Sequence, residues 1–324
     1  MLYYLATTAA KNTLLAKLQR VVRDAIGKPP QIADVDYRIK FSSARGNTKL
    51  RKTQKALGKR LYTFAMLSGH TCPFARDCRS SANLVSGHWR IVDGRAILFR
   101  CFSASQEVLF NAVRKQRAHN TRIVEIAARS VDVAKRVILA SMPNDCEAIR
   151  IHIGGDFATL NYFDAWIEVA RARPHVLFYA YTKALPFWAN RLQSIPRNFV
   201  LTASRGGAAD ELIAKHNLRE SVVVESEAHA AALGLDVDVD DTHAAKRGKS
   251  FALVVHGSPP AGSAWSYVVK RNNDKTRDAN RAKREALERA KRLDTNRKAR
   301  LARAHEGKPT NRISKLAKLW ARSK

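Results

Sequence analysis

Three cysteines, Cys72, Cys78 and Cys101, give this sequence its clearest capacity for metal chemistry. Residues six apart on a helix point to different faces, so the sulfurs of Cys72 and Cys78 can meet only in a loop. Pro73 favours such a loop or a helix start. Cys101 precedes a predicted helix, whose first N–H groups would stabilise a thiolate or a negatively charged cluster. The spacing C-x5-C-x22-C lacks the paired CxxC knuckles of a zinc ribbon, so metal ligation and ordinary packing both stay open.

A second set of reactive side chains follows strand-like segments between residues 149 and 257. In parallel sheets, reactive groups collect at the carboxyl ends of the strands. Alternation along 149–153 predicts that Arg150 and His152 share one face. The glycine pair that follows would let a ligand approach the backbone closely. The candidates for catalysis are His152, Asp156, Lys183, Asp241 and His256, and those for binding a substrate or anion are Gly154, Gly155, Tyr181, Ser204 and Arg205.

These side chains suggest distinct roles in one pocket. Lys183 and Arg205 are suited to binding an anion. Asp156 and the two histidines of the set are suited to moving protons. The acidic segment 236–243, which contains Asp241, could ligate Mg²⁺ or orient Lys183 or Arg205. Any one of these residues is equally compatible with a cap or a salt bridge, so the hypothesis depends on five successive strand ends that carry them.

The elements that must position these groups alternate between strands and helices. Strands are predicted at 149–153, 176–182, 198–203, 221–225 and 250–256, and a helix at 162–173. This order predicts an α/β fold with repeated β/α units, a mostly parallel sheet and right-handed crossovers. No glycine-rich nucleotide fingerprint follows a first strand, so a TIM-like barrel, complete or incomplete, is favoured over an open doubly wound sheet. Upstream, a strand is predicted at 96–101 and a helix near Ser103.

Composition divides the chain into three parts. We expect a basic helical lead-in over 1–44, a β/α domain over 45–268, and a basic tail over 269–324 that is helical or disordered. The whole chain has 58 Lys and Arg against 28 Asp and Glu, a net charge of +30, and residues 270–324 contribute 20 of these cations against 6 acids. Such a balance favours a polyanion as partner, with nucleic acid at residues 270–324 first and an anionic membrane surface as the competitor. A merely solvated tail is the simpler alternative.

The sequence also predicts a cytoplasmic location. No apolar run approaches the roughly 20 residues that span a bilayer. The first 22 residues contain Lys11 and Lys17 within an apolar stretch and predict an amphipathic helix, not a signal peptide. Four cysteines without a secretory signal indicate a reducing compartment, which makes a disulfide the least favoured role for the cysteines. Cys146 lies in a predicted loop with no partner motif.

Eight blocks in order resemble the phage and plasmid gene product 88 family over about residues 45–265. The blocks are GNTKL (46–50), CPFARDC (72–78), FRCFSASQE (99–107), RIHIGGDF (150–157), FYAYTK (178–183), FVLTASRGG (199–207), DDTHAA (240–245) and SFALVVHGSPPAGSA (250–264). The resemblance implies a mobile-element origin and a CPxAxxC…FRC cysteine set, matched here by Cys72, Cys78 and Cys101. It implies no activity, because none is established for the family. The first 40 residues, Cys146 and the basic tail lie outside it.

With the resemblance, metal binding becomes the leading expectation for the three cysteines. A [4Fe–4S] cluster on three thiolates would leave one iron open for substrate or S-adenosylmethionine. Alternatively, zinc or a cluster would take a histidine as a further ligand, with His70, His88 and His119 as candidates. The compact CxxxCxxC of radical enzymes is absent, so that comparison is one of architecture alone.

Two functional hypotheses follow from these expectations. The first is an enzyme that acts on or near nucleic acid or a nucleotide-derived substrate and depends on the metal centre. The second is a non-catalytic, metal-stabilised nucleic-acid-binding protein used in phage or plasmid replication or transfer. Convergence of the strand-end residues on one open cleft beside the cysteines would favour the enzyme, whereas dispersed and ion-paired residues would favour the binding protein.

Overall fold

The computed structural model describes residues 37–255, 257, 259–306 and 320–322. Most of the predicted lead-in and the candidate His256 therefore lie outside the described residues. The chain forms two units, residues 1–269 and residues 270–324.

The first unit is built on a seven-stranded sheet with the order β1-β2-β5-β6-β7-β8-β9. The strands are β1 (Ser42–Ser43), β2 (Leu61–Thr63), β3 (Ser80–Val85), β4 (His88–Asp93), β5 (Ala148–Ile151), β6 (Leu177–Thr182), β7 (Phe199–Ser204), β8 (Glu220–Val224) and β9 (Phe251–Val254). Only the β1–β2 pair is antiparallel in this sheet, and all other neighbours are parallel. The β3–β4 pair forms a separate antiparallel hairpin.

The predicted parallel β/α core is confirmed, and its strands advance across the sheet without reversal. The five predicted strands from residue 149 onward correspond to β5 to β9 within two residues at each end. This sequential order differs from that of a doubly wound sheet, which would reverse direction at its centre. The sheet is open among the described residues, with β1 at one edge and β9 at the other, so a closed barrel is not formed.

Helices cover both faces of the sheet. They are α1 (Thr48–Leu57), α2 (Phe102–Leu109), α3 (Asn111–Ala127), α4 (Val131–Ser141), α5 (Leu160–Ala172), α6 (Leu185–Ala189), α7 (Glu211–Lys215), α8 (Glu227–Ala232), α9 (Thr242–Ala245) and α10 (Ala264–Glu306). Alternation along β6 places Phe178 in the larger core, with α3 to α7, and Tyr179 in the smaller core, with α1 and α9. One face thus carries the larger apolar core, which we call the outer face, and among the described residues α1 and α9 pack on the other, the inner face.

One predicted strand is absent. Residues 96–101 form turns and bends because the amides of Leu98 and Phe99 both donate to the carbonyl of Asp77, at 2.7 and 3.1 Å, a pairing that no strand ladder provides. The helix predicted near Ser103 begins at Phe102, with Cys101 as its N-cap residue.

The basic tail, predicted to be helical or disordered over 269–324, is helical through residue 306, in a helix that begins at Ala264. Its side chains are exposed from residue 275 through residue 302, as expected for a helix without an apolar stripe. Within the described part of the chain, no helix combines the length and apolarity needed to cross a bilayer.

Candidate metal centre at the carboxyl edge of the sheet

Cys72 and Cys78 lie in the segment between β2 and β3, residues 64–79, which we call the cysteine loop. This loop lies across the carboxyl ends of three adjacent strands. At the β5 end, the amide of Met66 donates to the carbonyl of Gly154 at 2.8 Å. At the β7 end, the amide of Asp77 donates to Gly206 at 3.0 Å, and the amide of Ala208 donates to Phe74 at 2.9 Å. Since β6 lies between β5 and β7, these anchors hold the loop over the end of β6, where reactive groups of parallel sheets collect.

The β3–β4 hairpin explains the long spacing between Cys78 and Cys101. The hairpin begins at Ser80 and ends at Asp93, and these two residues are paired across its two strands. Both ends of the hairpin therefore lie side by side. The amide of Cys101 then donates to the hydroxyl of Ser80 at 2.9 Å. The hairpin therefore returns the chain to the position it left, so that a long insertion separates two cysteines that lie near each other.

The three thiols form one electrostatic cluster with an acid and a lysine of the strand ends. Burial, followed by the charges of Asp156 and Cys101, raises the pKa of Cys72 well above its usual value. Burial raises the pKa of Cys78 to about 11, while the charge of Lys183 opposes that rise. All four cysteines of the chain are free, and Cys72, Cys78 and Cys101 are half-buried.

Nearby backbone amides lower the pKa of two of the three thiols, against the larger effect of burial. Burial raises the pKa of Cys101, and the amides of Ala104 and Ser103 at the start of α2 oppose that rise by hydrogen bonding. The backbone at Gly69 does the same for Cys72, against a larger burial effect. Backbone N–H groups near a sulfur favour its anionic form.

Asp156 and Lys183 are both buried, and both have full sets of hydrogen bonds. The carboxylate of Asp156 accepts from the hydroxyl of Thr182 at 2.7 Å and from the amide of Lys183 at 2.8 Å. The ammonium of Lys183 donates to the carbonyl and hydroxyl of Ser204, at 2.7 and 2.9 Å, and to the carbonyl of Arg205 at 2.7 Å. Burial raises the pKa of Asp156, and those hydrogen bonds oppose the rise. Lys183 therefore joins the ends of β6 and β7, and its charge acts on the thiol of Cys78.

The two glycine pairs of the strand ends seat the cysteine loop. A Cβ on Gly155 would stand 2.5 Å from the hydroxyl of Thr71, and one on Gly154 would stand 2.1 Å from the hydroxyl of Ser103. A Cβ on Gly206 would stand 2.9 Å from the carboxylate of Asp77. Protein atoms thus fill the space that a side chain at Gly154 or Gly155 would need, while the approach of a ligand to their backbone stays a prediction.

A protein-family model described as "Gene product 88" matches residues 41–287 of the chain. The chain belongs to the gene product 88 family. The match includes the cysteine loop, the hairpin, every strand of the main sheet and about the first half of α10. Neither a curated protein nor a solved structure matches the chain.

His152 does not face the cysteine loop in this member of the gene product 88 family. Its backbone has φ = +60°, which breaks the strand alternation after Ile151 and turns the ring into the large core. There the ring packs at 4.5 Å from Phe157, centroid to centroid, and Nε2 lies 3.2 Å from the hydroxyl of Tyr162. Burial lowers the pKa of His152 to about 3. The prediction that Arg150 and His152 share a face is wrong, and the ring is a core group.

Asp241 lies on the inner face of the sheet and neutralises two cations. Its carboxylate forms ion pairs with Arg150 and with the ammonium of Lys49, the latter at 2.8 Å, and it is fully buried. Beside it, the hydroxyl of Tyr181 donates to Asp238 at 3.4 Å. The acidic segment therefore pairs with cations other than Lys183 and Arg205, and α9 packs against β6 and β7 on the inner face.

Arg205 and Ser204 are the predicted anion-binding residues at the carboxyl end of β7. The guanidinium of Arg205 forms a two-pronged ion pair with Glu220, at 2.7 and 3.0 Å, near the surface. The hydroxyl of Ser204 accepts from Lys183. Thus Asp156, Lys183 and Ser204 stand beside the cysteines, whereas His152, Tyr181 and Asp241 do not.

A preformed metal site is not present: across the described residues, no three His, Cys, Asp or Glu side chains meet the geometry for holding an ion. Of the predicted histidine ligands, His88 begins β4 at the tip of the hairpin, about 17 Å along the strand from its base. His119 bonds the carbonyl of Arg38 at 2.8 Å. His70 is exposed within the cysteine loop itself and is the histidine nearest in sequence to the thiols.

Sequence reasoning missed a buried ion pair beneath Cys101. Glu107, fully buried in α2, lies 3.0 Å from Arg117 of α3 and accepts from the amide and hydroxyl of Ser68 at 3.0 and 2.9 Å. The Ser68 hydroxyl also opposes the rise in the pKa of Cys101. A charged pair ten residues apart, on two different helices, has no short-range signature in the sequence.

Proposed function

We propose that Cys72, Cys78 and Cys101 hold a metal centre, in the first instance an iron–sulfur cluster, and that this centre carries the function of the chain. The observation that supports the proposal is the meeting of three chain segments. The two halves of the cysteine loop carry Cys72 and Cys78, and the segment after the β3–β4 hairpin carries Cys101. Together they bring three free thiols into one electrostatic cluster. Structural packing of thiols needs neither amide donors at the sulfurs nor a neighbouring buried lysine.

The donor set fits a cluster better than a structural zinc site. Structural zinc needs four ligands, and three thiolates supply three of them. A [4Fe–4S] cluster bound by three thiolates offers one iron for a substrate group, which is the chemistry the group would supply. Zinc remains the competing metal, with His70 as the fourth ligand.

The enzymatic form of the proposal assigns distinct roles to the neighbouring side chains. Lys183 offsets the negative charge of Cys78, and its buried ammonium fixes the ends of β6 and β7. Asp156, whose pKa burial raises, is the carboxyl group available for holding a proton near Cys72. The substrate would be nucleic acid or a nucleotide-derived molecule, such as S-adenosylmethionine, bound at the open edge of the sheet.

A second candidate, a non-catalytic metal-stabilised protein, is favoured because several predicted catalytic and anion-binding groups already have partners within the protein. His152 is a core residue, Arg205 is paired with Glu220, and Asp241 is paired with Arg150. In this form the metal fastens the hairpin to the sheet, and the chain serves phage or plasmid replication or transfer by binding nucleic acid. The location in either form is the cytoplasm, where the thiols stay reduced.

Metal analysis with matched cysteine variants tests the metal centre. The full chain is purified without oxygen, and iron, sulfide and zinc are measured for the wild type, for Cys72→Ser, Cys78→Ser and Cys101→Ser, and for Cys146→Ser. Cys146 is the control because it is buried elsewhere and bonds the carbonyl of Ala148. We expect a brown protein that loses iron and sulfide in the first three variants and keeps both in the fourth. Equal metal content in all variants, or none in any, contradicts the proposal.

Adding S-adenosylmethionine to the reduced protein separates the two candidates. An open iron site that takes this molecule changes the electron paramagnetic resonance spectrum of the cluster, and the enzymatic form predicts such a change. An unchanged spectrum removes S-adenosylmethionine from the proposal. A colourless protein with one zinc favours the structural form.

The polyanion partner is proposed for the second unit. Its described helical part, residues 270–306, is exposed over most of its length and carries more than twice as many cations as acids. The variant Arg284→Gln/Arg292→Gln/Arg300→Gln removes three cations for which no ion pair is found among the described residues. If they contact duplex DNA, the slope of log affinity against log salt falls by about 2.7, at about 0.9 per phosphate contact.

A control with three exposed lysines of the first unit, Lys52→Gln/Lys55→Gln/Lys115→Gln, removes the same charge. An equal fall in slope for both triple variants shows that net charge alone matters. An unchanged slope for the helix variant removes the second unit as the main contact.

A further inference from the structure

A cleft lined by arginines lies where the cysteine loop meets the turn after β4. Its volume is about 390 Å³, within the range of small-ligand pockets. It is lined by Ala75, Arg76, Arg79, Gly94, Arg95 and Ala96. We name it the arginine cleft.

The shape of the arginine cleft is fixed by backbone contacts. The amide of Gly94 donates to the carbonyl of Arg79 at 2.7 Å, which joins the turn after β4 to the end of the cysteine loop. A Cβ on Gly94 would stand 2.8 Å from that carbonyl oxygen, so the approach requires glycine. The bridge between Ala75 and Gly207 fixes the other wall to the end of β7.

Two of the three arginines that line the cleft have no acidic partner among the described residues. Arg76 is paired with Asp77 at 2.7 Å. Arg79 and Arg95 are exposed, and within the described residues no hydrogen bond or ion pair of either guanidinium is found. The nearest other acid on these segments, Asp93, already binds Arg100 through both oxygens. Two guanidinium groups with free donors in one concave site are suited to a phosphate group.

We propose that the arginine cleft binds a phosphate group of a nucleic-acid strand or a nucleotide and so holds it beside the candidate metal centre. The inference rests on the proposed function, since a polyanion partner or nucleotide-derived substrate supplies the phosphate. Arg79 directly follows Cys78 in the chain, so the backbone of one wall of the cleft continues into the cysteine cluster. The cleft would set the position of the ligand, whereas the second unit would supply affinity without regard to position.

The test is Arg79→Gln/Arg95→Gln in the full chain, with Arg122→Gln/Arg129→Gln as the control. The control pair is exposed and lies at α3 and just after it, outside the arginine cleft. The probes are a single-stranded DNA 12-mer and a nucleoside monophosphate. Loss of two single-strand phosphate contacts lowers 12-mer affinity at 0.1 M salt by about 25-fold and the salt slope by about 1.4. Since all four side chains are exposed, both variants should keep the unfolding midpoint of the wild type.

Each outcome decides one point. A fall in 12-mer affinity for Arg79→Gln/Arg95→Gln alone supports the inference. If this variant also loses binding of the nucleoside monophosphate, the single phosphate group is the ligand. If the cleft variant loses affinity for the 12-mer but not for the nucleoside monophosphate, the nucleic-acid strand is the ligand. Equal affinities for the cleft and control variants overturn the inference and leave the polyanion proposal standing. No binding of either probe by the wild type overturns both.

Discussion

Replacing Gly155 by alanine tests whether the glycine pair seats the cysteine loop. Gly155 has φ = +82°, and a Cβ there would stand 2.5 Å from the hydroxyl of Thr71 and 3.0 Å from the Cβ of Met66. The Thr71 hydroxyl cannot move away freely, because it donates to the carbonyl of Leu67 at 2.8 Å in a buried site. Alanine at this position therefore combines backbone strain with overpacking.

The magnitude follows from those two terms and from a matched control. A left-handed alanine costs about 1–2 kcal/mol, and overpacking a filled site costs about 1–3 kcal/mol more. Gly58 has φ = +61°, and a Cβ added there would meet nothing within 4 Å, so Gly58→Ala carries the first cost alone. Gly155→Ala should thus be less stable than Gly58→Ala by about 1–3 kcal/mol.

Urea unfolding of both variants measures the difference, and thiol labelling reports its location. In thermal unfolding, the extra loss of stability in Gly155→Ala lowers the melting temperature by about 2–12 °C relative to Gly58→Ala, for a unit of this size. Displacement of the loop also speeds the reaction of Cys72 and Cys78 with a thiol reagent. Equal stability and equal labelling of the two variants would refute the seating argument and reopen the space beside Gly155 to a ligand.

Two further predictions concern buried charge. The pKa of His152 is about 3 in the folded state, against an ordinary value of 6.5, so only the unfolded state binds this proton between those values. Stability should fall as pH falls through that window, by about 1.4 kcal/mol per pH unit. In urea titrations, His152→Asn should remove this slope and the exposed His88→Asn should keep it; equal slopes would be contrary to the assignment. Asp241→Asn should cost about 3 kcal/mol in urea unfolding, because Arg150 loses its buried counter-charge, and a cost below about 0.5 kcal/mol would contradict the pairing.

Strand periodicity predicted the core of the fold because the strands of a parallel sheet are buried on both faces. Short apolar runs separated by helical patterns therefore marked β5 to β9. Closure of a barrel has no such local signal, and the open sheet could not be predicted from periodicity. The strand predicted at 96–101 is absent because this apolar run follows a turn that the carbonyl of Asp77 holds. An apolar run alone did not reveal that turn.

The candidate site was predicted where residue type decides position and missed where backbone geometry decides it. Cys101 at a helix start could be predicted from the helix that follows it. The inward turn of His152 could not, because a positive φ in a non-glycine residue has no reliable sequence signal. The glycine pairs carried a true signal of close approach, but the sequence could not show that the approaching atoms belong to the protein itself.

X-ray absorption at the iron and zinc edges of the oxygen-free full chain tests the central claim most directly. Three thiolates at one metal centre predict a nearest shell made mainly of sulfur, at about 2.3 Å, which disappears in Cys72→Ser/Cys78→Ser/Cys101→Ser. A shell of oxygen and nitrogen alone, or no bound metal in the wild type, would contradict the account.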